Sequence, residues 1–163
     1  MIILGVDPGF ERVGIAILEK NKSDKRERVL FSECFKTSGK LDFGERLSLI
    51  GEEVVKITKK YRPEILSIET LFLSTNQKTA MRVAEARGVI IYESFKLGLS
   101  IFEASPPQIK MAVTGTGHAD KQQIMKMVKM LVDIDQTKAS DDELDAVAIA
   151  LTAFAHAKHY THS

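Results

Sequence analysis

The chain has 163 residues, 44% of them hydrophobic and 28% charged, with a net charge of +1. That size suits one domain spanning 1–163 that buries roughly 70% of its unfolded surface; the composition is ordinary for a soluble globular protein, and the net charge is too small to announce nucleic-acid binding by itself. No apolar run is long enough to cross a bilayer, no secretory signal is visible, and Cys34 has no second cysteine for an internal disulfide. A cytoplasmic, reducing home is the expectation.

Three strands come first, over Ile2–Asp7, Gly14–Leu18 and Val29–Phe35. The charge-rich "NKSDKRER" between the last two reads as a solvated hairpin. Phe43, Leu47, Ile50, Val54, Ile57 and Tyr61 recur at three- and four-residue steps, the stripe of an amphipathic helix that Pro63 stops. "EILSIE", Glu64–Glu69, reads as a fourth, buried strand. A loop through Ser74 leads to a long helix from about Asn76 to Leu97. Gly88 in its middle costs about 1 kcal/mol against Ala unless close packing needs it.

A short strand at Ser100–Glu103 precedes helical territory opened by Pro106-Pro107, interrupted by "TGTGHAD" and resumed in "KQQIMKMVKML". The methionines in this stretch read as helix-packing residues. The last helix begins at "SDDELDAVAIALTAFA". This order predicts an α/β fold with one five-stranded mixed central sheet flanked by helices. An antiparallel meander is joined to parallel strands by helical crossovers.

Two of these strands end on carboxylates, Asp7 and Glu69, although burying an unpaired charge is costly. In the last helix "SDDE" is a capping box with Ser140 at the N-cap and Glu143 three residues on. Cap and macrodipole chemistry accounts for Asp141, Asp142 and Glu143. It does not account for Asp145, in the second turn, where Asp is a poor helix former. Leu144, Val147, Ala148 and Leu151 mark the buried stripe, and Asp145 flanks it. Asp142 and Asp141, three and four residues earlier, can each share its face, and spacing alone leaves the two open. If the helix crosses the ends of adjacent strands, three or four carboxylates converge. An oxygen-only cluster of that kind suits Mg²⁺ or Mn²⁺ rather than zinc.

Taken in order, "IILGVDPG", "IETLF", "ARGV", "VTGTGHADKQQ" and "DDELDAVAIALT" resemble the RuvC-type Holliday-junction resolvases of the RNase H-like (retroviral integrase) superfamily. The resemblance covers nearly the whole chain. It implies an RNase H-like fold and a structure-selective endonuclease that resolves four-way DNA junctions in homologous recombination and repair. The implied chemistry is paired, metal-dependent phosphodiester hydrolysis leaving 5′-phosphate and 3′-hydroxyl ends, with no side-chain nucleophile. Four catalytic, metal-binding carboxylates carry over: Asp7, Glu69 and the D-x-x-D pair Asp142 and Asp145, which settles Asp142 over Asp141. The implied cofactor is Mg²⁺, two ions per site, with Mn²⁺ as a substitute.

For DNA binding the resemblance implies Phe72 near the junction's exchange point, and Lys110 and Lys121 on phosphates either side of the loop with Gly115 and Gly117. Ser74, Asn76, Gln77 and Lys78 are further polar candidates. A homodimer is implied, matching the near two-fold symmetry of a junction, with Ala80, Ala84, Gly88 and Ile91 along one face of the long helix. A branch-migration helicase complex is a partner the resemblance leaves open, as is any catalytic part for His118. His156, His159 and His162 read as a frayed helix end. A non-catalytic junction-binding module on the same fold is a rival that four intact acids argue against and a cleavage assay decides, and two others fit less well. An actin-like sugar kinase needs a second domain, and a YqgF-type resolvase matches "IETLF" and "GTG" less closely.

Overall fold

The computed structural model describes residues 1–71, 77–132 and 139–157, Gln77 by its backbone alone. In chain order the elements are β1 (Ile2–Asp7), β2 (Arg12–Glu19), β3 (Arg28–Lys36), α1 (Phe43–Tyr61), β4 (Ile65–Glu69), α2 (Gln77–Lys96), β5 (Ser100–Ala104), α3 (Pro106–Thr114), α4 (Lys121–Leu131) and α5 (Asp141–His156). The five strands form one sheet in the order β3-β2-β1-β4-β5. Pairing is antiparallel among β1, β2 and β3 and parallel along β1, β4 and β5, the mixed sheet the element order predicts. Strands β2 and β3 run longer than their apolar cores suggest. Their ladder continues from Arg12↔Lys36 to Glu19↔Arg28, and Arg28 closes the far end on Glu19 at 2.6 Å.

Successive side chains of a strand point to opposite faces, and here the two faces differ in kind. Leu4, Val6, Ile15, Ile17, Leu66 and Ile68 form the face covered by α1 and α2, packing against Ile50, Val54, Ile57 and Ile90. Ile3, Ala16, Leu18, Ile65 and Phe102 form the other face, covered by α5 with α3 and α4 beside it.

Helix α5 lies unusually close to the strands. A Cβ on Gly5 would come within 2.3 Å of the Ala146 carbonyl oxygen, and one on Gly14 within 2.1 Å of the Asp142 carbonyl oxygen. Glycine at these positions is what lets the helix backbone rest on β1 and β2. Ser67 Oγ adds a buried hydrogen bond, donated to the Ile149 carbonyl at 2.7 Å. The helix starts where its capping box predicts. Ser140 Oγ accepts from Glu143 N at 3.4 Å and the Glu143 carboxylate accepts from Ser140 N at 2.9 Å.

Three expectations are corrected. On α2, Ala84 and Gly88 are exposed, but Ile91 turns toward the core; the outward face is completed by Met81, Tyr92 and Phe95. Met125 and Met127 pack against the α5 core, whereas Met111 and Met130 are exposed. His156 is anchored rather than frayed, its ring 5.4 Å from Phe102 and its Nδ1 2.8 Å from the Thr152 carbonyl. His159 and His162 lie outside the described residues. Among the described residues no helix is long and apolar enough to cross a membrane.

Candidate active site

The ladder between β1 and β4 ends at Val6↔Ile68. Asp7 and Glu69 are the next residue on each strand, and by alternation they share the α5 face with Gly5 and Ser67. Asp7 also pairs across the sheet with Gly14, the glycine that admits the first turn of α5. The helix therefore delivers Asp145 over the same strand ends. Asp7, Glu69 and Asp145 line one cavity of about 270 Å³, together with Lys110, Lys121 and the apolar side chains of Ile109, Ile124 and Ile149. The carboxyl ends of parallel strands are the usual place for a ligand site in open α/β sheets. A larger groove of about 640 Å³ runs between α1 and α2, but the three half-buried acids of the strand ends and helix are not in it.

The electrostatics of the smaller cavity set it apart. The Asp7 carboxyl is pushed up to about 7, first by burial and then by the charges of Asp145, Glu69 and Asp142. Burial and then Asp145 raise Glu69. Asp145 is also raised, its burial outweighing the pull of Lys121. These are the marks of carboxylates forced together. Lys121, the first residue of α4, sets its Nζ 3.2 Å from Asp145 Oδ2 and 3.7 Å from Asp141 Oδ2. Asp120 caps that helix by accepting from Gln123 N at 2.8 Å. Lys110 approaches from α3.

Asp142 does not line the cavity. Its Oδ2 accepts from Arg12 Nε at 3.0 Å, from a second Arg12 nitrogen, and from Cys34 Sγ at 3.4 Å. Burial alone would raise its titration, but these bonds and the Arg12 charge together hold it below the ordinary carboxylate range. The Cys34 thiol is raised, by burial and then by Asp142. Sequence reasoning missed Arg12 and Cys34. Both sit on the α5 face of β2 and β3, Cys34 directly across from Gly14, which is evident only once the register is known.

As the side chains stand, no group of three or more His, Cys, Asp or Glu among the described residues has a metal-holding arrangement. Arg12 holds Asp142 aside and Lys121 engages Asp145. The donor types themselves are all carboxylate oxygens with an excess of negative charge, which is what a hard divalent cation prefers. Of the remaining candidates, His118 is exposed, in a loop that leaves α3 through Gly115 at φ 76°. Lys78 is exposed as well. Phe72, Ser74, Asn76 and the Gln77 side chain lie outside the described residues.

Residues 3–153 match the family model described as crossover junction endodeoxyribonuclease RuvC. A protein of that name from Thermosipho melanesiensis is 41% identical over 150 residues, 92% of this chain and 94% of its own length. Another, from Halothermothrix orenii, is 41% identical over 151 residues, 93% of this chain and 90% of its own length. The structure of T. thermophilus RuvC in complex with a Holliday junction substrate superposes with a TM-score of 0.91 at 29% identity, covering 99% of this chain and 97% of that one. Matched over nearly its full length in sequence and in fold, the chain belongs to the RuvC family and has its RNase H-like architecture.

Proposed function

We propose that this protein is a structure-selective, metal-dependent endonuclease that resolves four-way DNA junctions. Asp7, Glu69, Asp142 and Asp145 are its catalytic carboxylates and metal ligands. The observation that carries this reading is the convergence of Asp7, Glu69 and Asp145 on one cavity at the strand ends, with Asp7 pushed up to about 7 by burial and its neighbours. Acids placed so close repel one another until positive charge is held among them. Two Mg²⁺ ions per site are the cofactor, with Mn²⁺ as a substitute. When bound, divalent ions supply Lewis-acid stabilisation of phosphoryl oxygens and an activated water.

The chain's own residues do the rest. Asp7 and Glu69 are held by strand ends and Asp145 by a capped helix, so the acidic wall is rigid. Asp142 joins it by a side-chain rotation out of the Arg12 contact. Ile109, Ile124 and Ile149 give the cavity apolar walls, beside which charge interactions are stronger than in bulk water. Lys121 and Lys110, on the same cavity, meet the phosphodiester, and phosphate contacts of this kind position DNA without reading its sequence. Phe72 contacts the junction near its exchange point. Water attacks phosphorus and the 3′ oxygen leaves, giving 5′-phosphate and 3′-hydroxyl ends.

Resolution needs two symmetric cuts, and a C₂ homodimer supplies two sites. The outward face of α2 is the contact. Met81, Tyr92 and Phe95 are 66%, 63% and 71% exposed, and a Cβ at Gly88 would meet nothing within 4 Å, leaving room for a partner helix. The chain acts as one cytoplasmic nuclease domain, with a branch-migration helicase complex as a further partner. Incubation of a synthetic four-way junction and a linear duplex with Mg²⁺, Mn²⁺ or EDTA tests the reading. Paired nicks appear in the junction only, only with a divalent ion, and are sealed by DNA ligase without prior phosphorylation. Equal cutting of the linear duplex, or cutting in EDTA, overturns it.

A further inference from the structure

The acid at the end of β4 is braced from behind by a side chain outside the cavity. Arg87, on α2, donates from Nε to the main-chain carbonyl of Glu69 at 2.9 Å. A terminal nitrogen of the same guanidinium pairs with the Glu103 carboxylate. The Arg87 side chain is only 14% exposed, whereas Glu103 is 54% exposed. Ile68 pairs with Glu103 and Glu69 with Ala104 in the parallel ladder of β4 and β5. One planar cation therefore spans the tips of both strands at the point where Glu69 leaves the sheet. Thr70 N carries the pairing one residue further, donating to the Ala104 carbonyl at 2.9 Å.

We propose that Arg87 is a positioning residue for Glu69, fixing the Glu69 peptide plane so that its carboxylate meets a divalent cation at a set angle. The inference rests on the carboxylate site described under the proposed function. Arg87 contacts the Glu69 backbone and stands on the opposite face of the sheet from the cavity, with Glu103. Its effect is therefore geometric: holding the carbonyl fixes ψ of Glu69, and with it the angle between the side chain and the departing chain. Metal sites depend on such outer contacts almost as much as on the ligands themselves. The residue type is specific too. A guanidinium reaches two acceptors in one plane, whereas an ammonium is a single flexible point charge. The cost of burying the cation is offset only because both contacts are made.

The test uses the full chain and Mn²⁺ as the probe. Mn²⁺ affinity is measured by electron paramagnetic resonance for wild type, Glu69→Gln, Arg87→Met and Arg87→Lys. Junction affinity is measured in EDTA and thermal unfolding is followed alongside. Arg87→Met weakens Mn²⁺ binding about tenfold or more, the size of outer-contact losses at metal sites. Arg87→Lys falls between it and wild type, and junction affinity in EDTA is unchanged. Should Arg87→Met fail to fold, Arg87→Lys carries the test. A folded Arg87 variant with lowered Tm but wild-type Mn²⁺ affinity overturns the proposal and leaves Arg87 a strand brace only. If wild type binds no Mn²⁺, or Glu69→Gln binds it as wild type does, the carboxylate site itself falls and the proposal with it.

Discussion

The two faces of the central sheet come from the same strands read at alternate positions, yet they do different work. Toward α1 and α2 the residues are Leu4, Val6, Ile15, Ile17, Leu66 and Ile68, all at most 1% exposed. Toward α5 the same strands present Gly5, Asp7, Gly14, Ala16, Ser67 and Glu69. The first face is large and aliphatic, so its contribution is burial and dispersion. The second is apolar at its far end, with Ile3, Leu18 and Ile65, and small and acidic where α5 begins. Small residues let a helix backbone approach, and the approach crowds carboxylates. A period of two thus separates a wholly aliphatic face from one on which the acids gather at the strand ends. The largest expected effect follows on the acidic face. Asp7→Asn lowers junction cleavage in saturating Mg²⁺ by about a thousandfold, the scale of losing a transition-state charge contact, while junction binding survives. Wild-type cutting by this variant would remove Asp7 from the site.

The apolar face should respond in the opposite way. Leu66→Ala, at a fully buried position, costs about 3 kcal/mol by lost burial and the cavity left behind, measured by urea unfolding. Cleavage per folded molecule stays at the wild-type rate. A loss of cleavage beyond the folded fraction would mean that the two faces are not separable.

How far the sequence discloses this division depends on the length of the signal. The six-residue stripe of α1, the capping box of α5 and the strand ending at Asp7 are local patterns, and each element forms where its pattern predicts. The mixed sheet follows from the order of elements. The convergence of Asp7, Glu69 and Asp145 is conditional in the sequence, requiring that β1 and β4 be neighbours and that α5 cross their ends. The Arg12–Asp142–Cys34 contact is not legible at all, because it joins residues 108 and 130 positions apart through a β2–β3 register that no local pattern encodes. The face of α2 is legible in part for a related reason: Gly88 is open, as a face shared with Ala84 requires, but Ile91 turns to the core, which spacing along one helix does not decide.

Acidity gives a milder test of the same contrast. Asp7, Glu69 and Asp145 are all raised in the folded chain. Between the ordinary aspartate value of 3.8 and the Asp7 value of about 7 the folded state holds more protons than the unfolded one, so stability falls as pH rises through that window. Asp142 is lowered and works in the other direction, its contribution being lost as pH drops below the ordinary range. Without divalent ions, Tm should fall from pH 5 to pH 8 in wild type and fall less in Asp7→Asn. Added Mg²⁺ should raise wild-type Tm more at pH 8 than at pH 5, since a ligand that binds only the folded state stabilises it. Equal slopes for wild type and Asp7→Asn would mean that the crowding of acids costs the fold nothing.

The smallest effect concerns what lies behind the apolar face. Helix α2 covers that face with Ala86 and Ile90 and turns Gly88 to open space. In an isolated helix such a glycine is a pure loss. Gly88→Ala should stabilise the dilute monomer by about 0.5–1 kcal/mol through propensity and reduced chain entropy, read by urea unfolding at low protein concentration. If α2 meets a second copy at this point, the added methyl occupies the gap that lets two helix backbones close. Sedimentation should then show weaker dimerisation by the same variant, and the gain in stability should shrink as concentration rises. The two measurements have opposite signs only if the gap is an interface. A gain in stability that is independent of concentration would make Gly88 a simple defect of an exposed helix, and α2 the outer wall of the molecule.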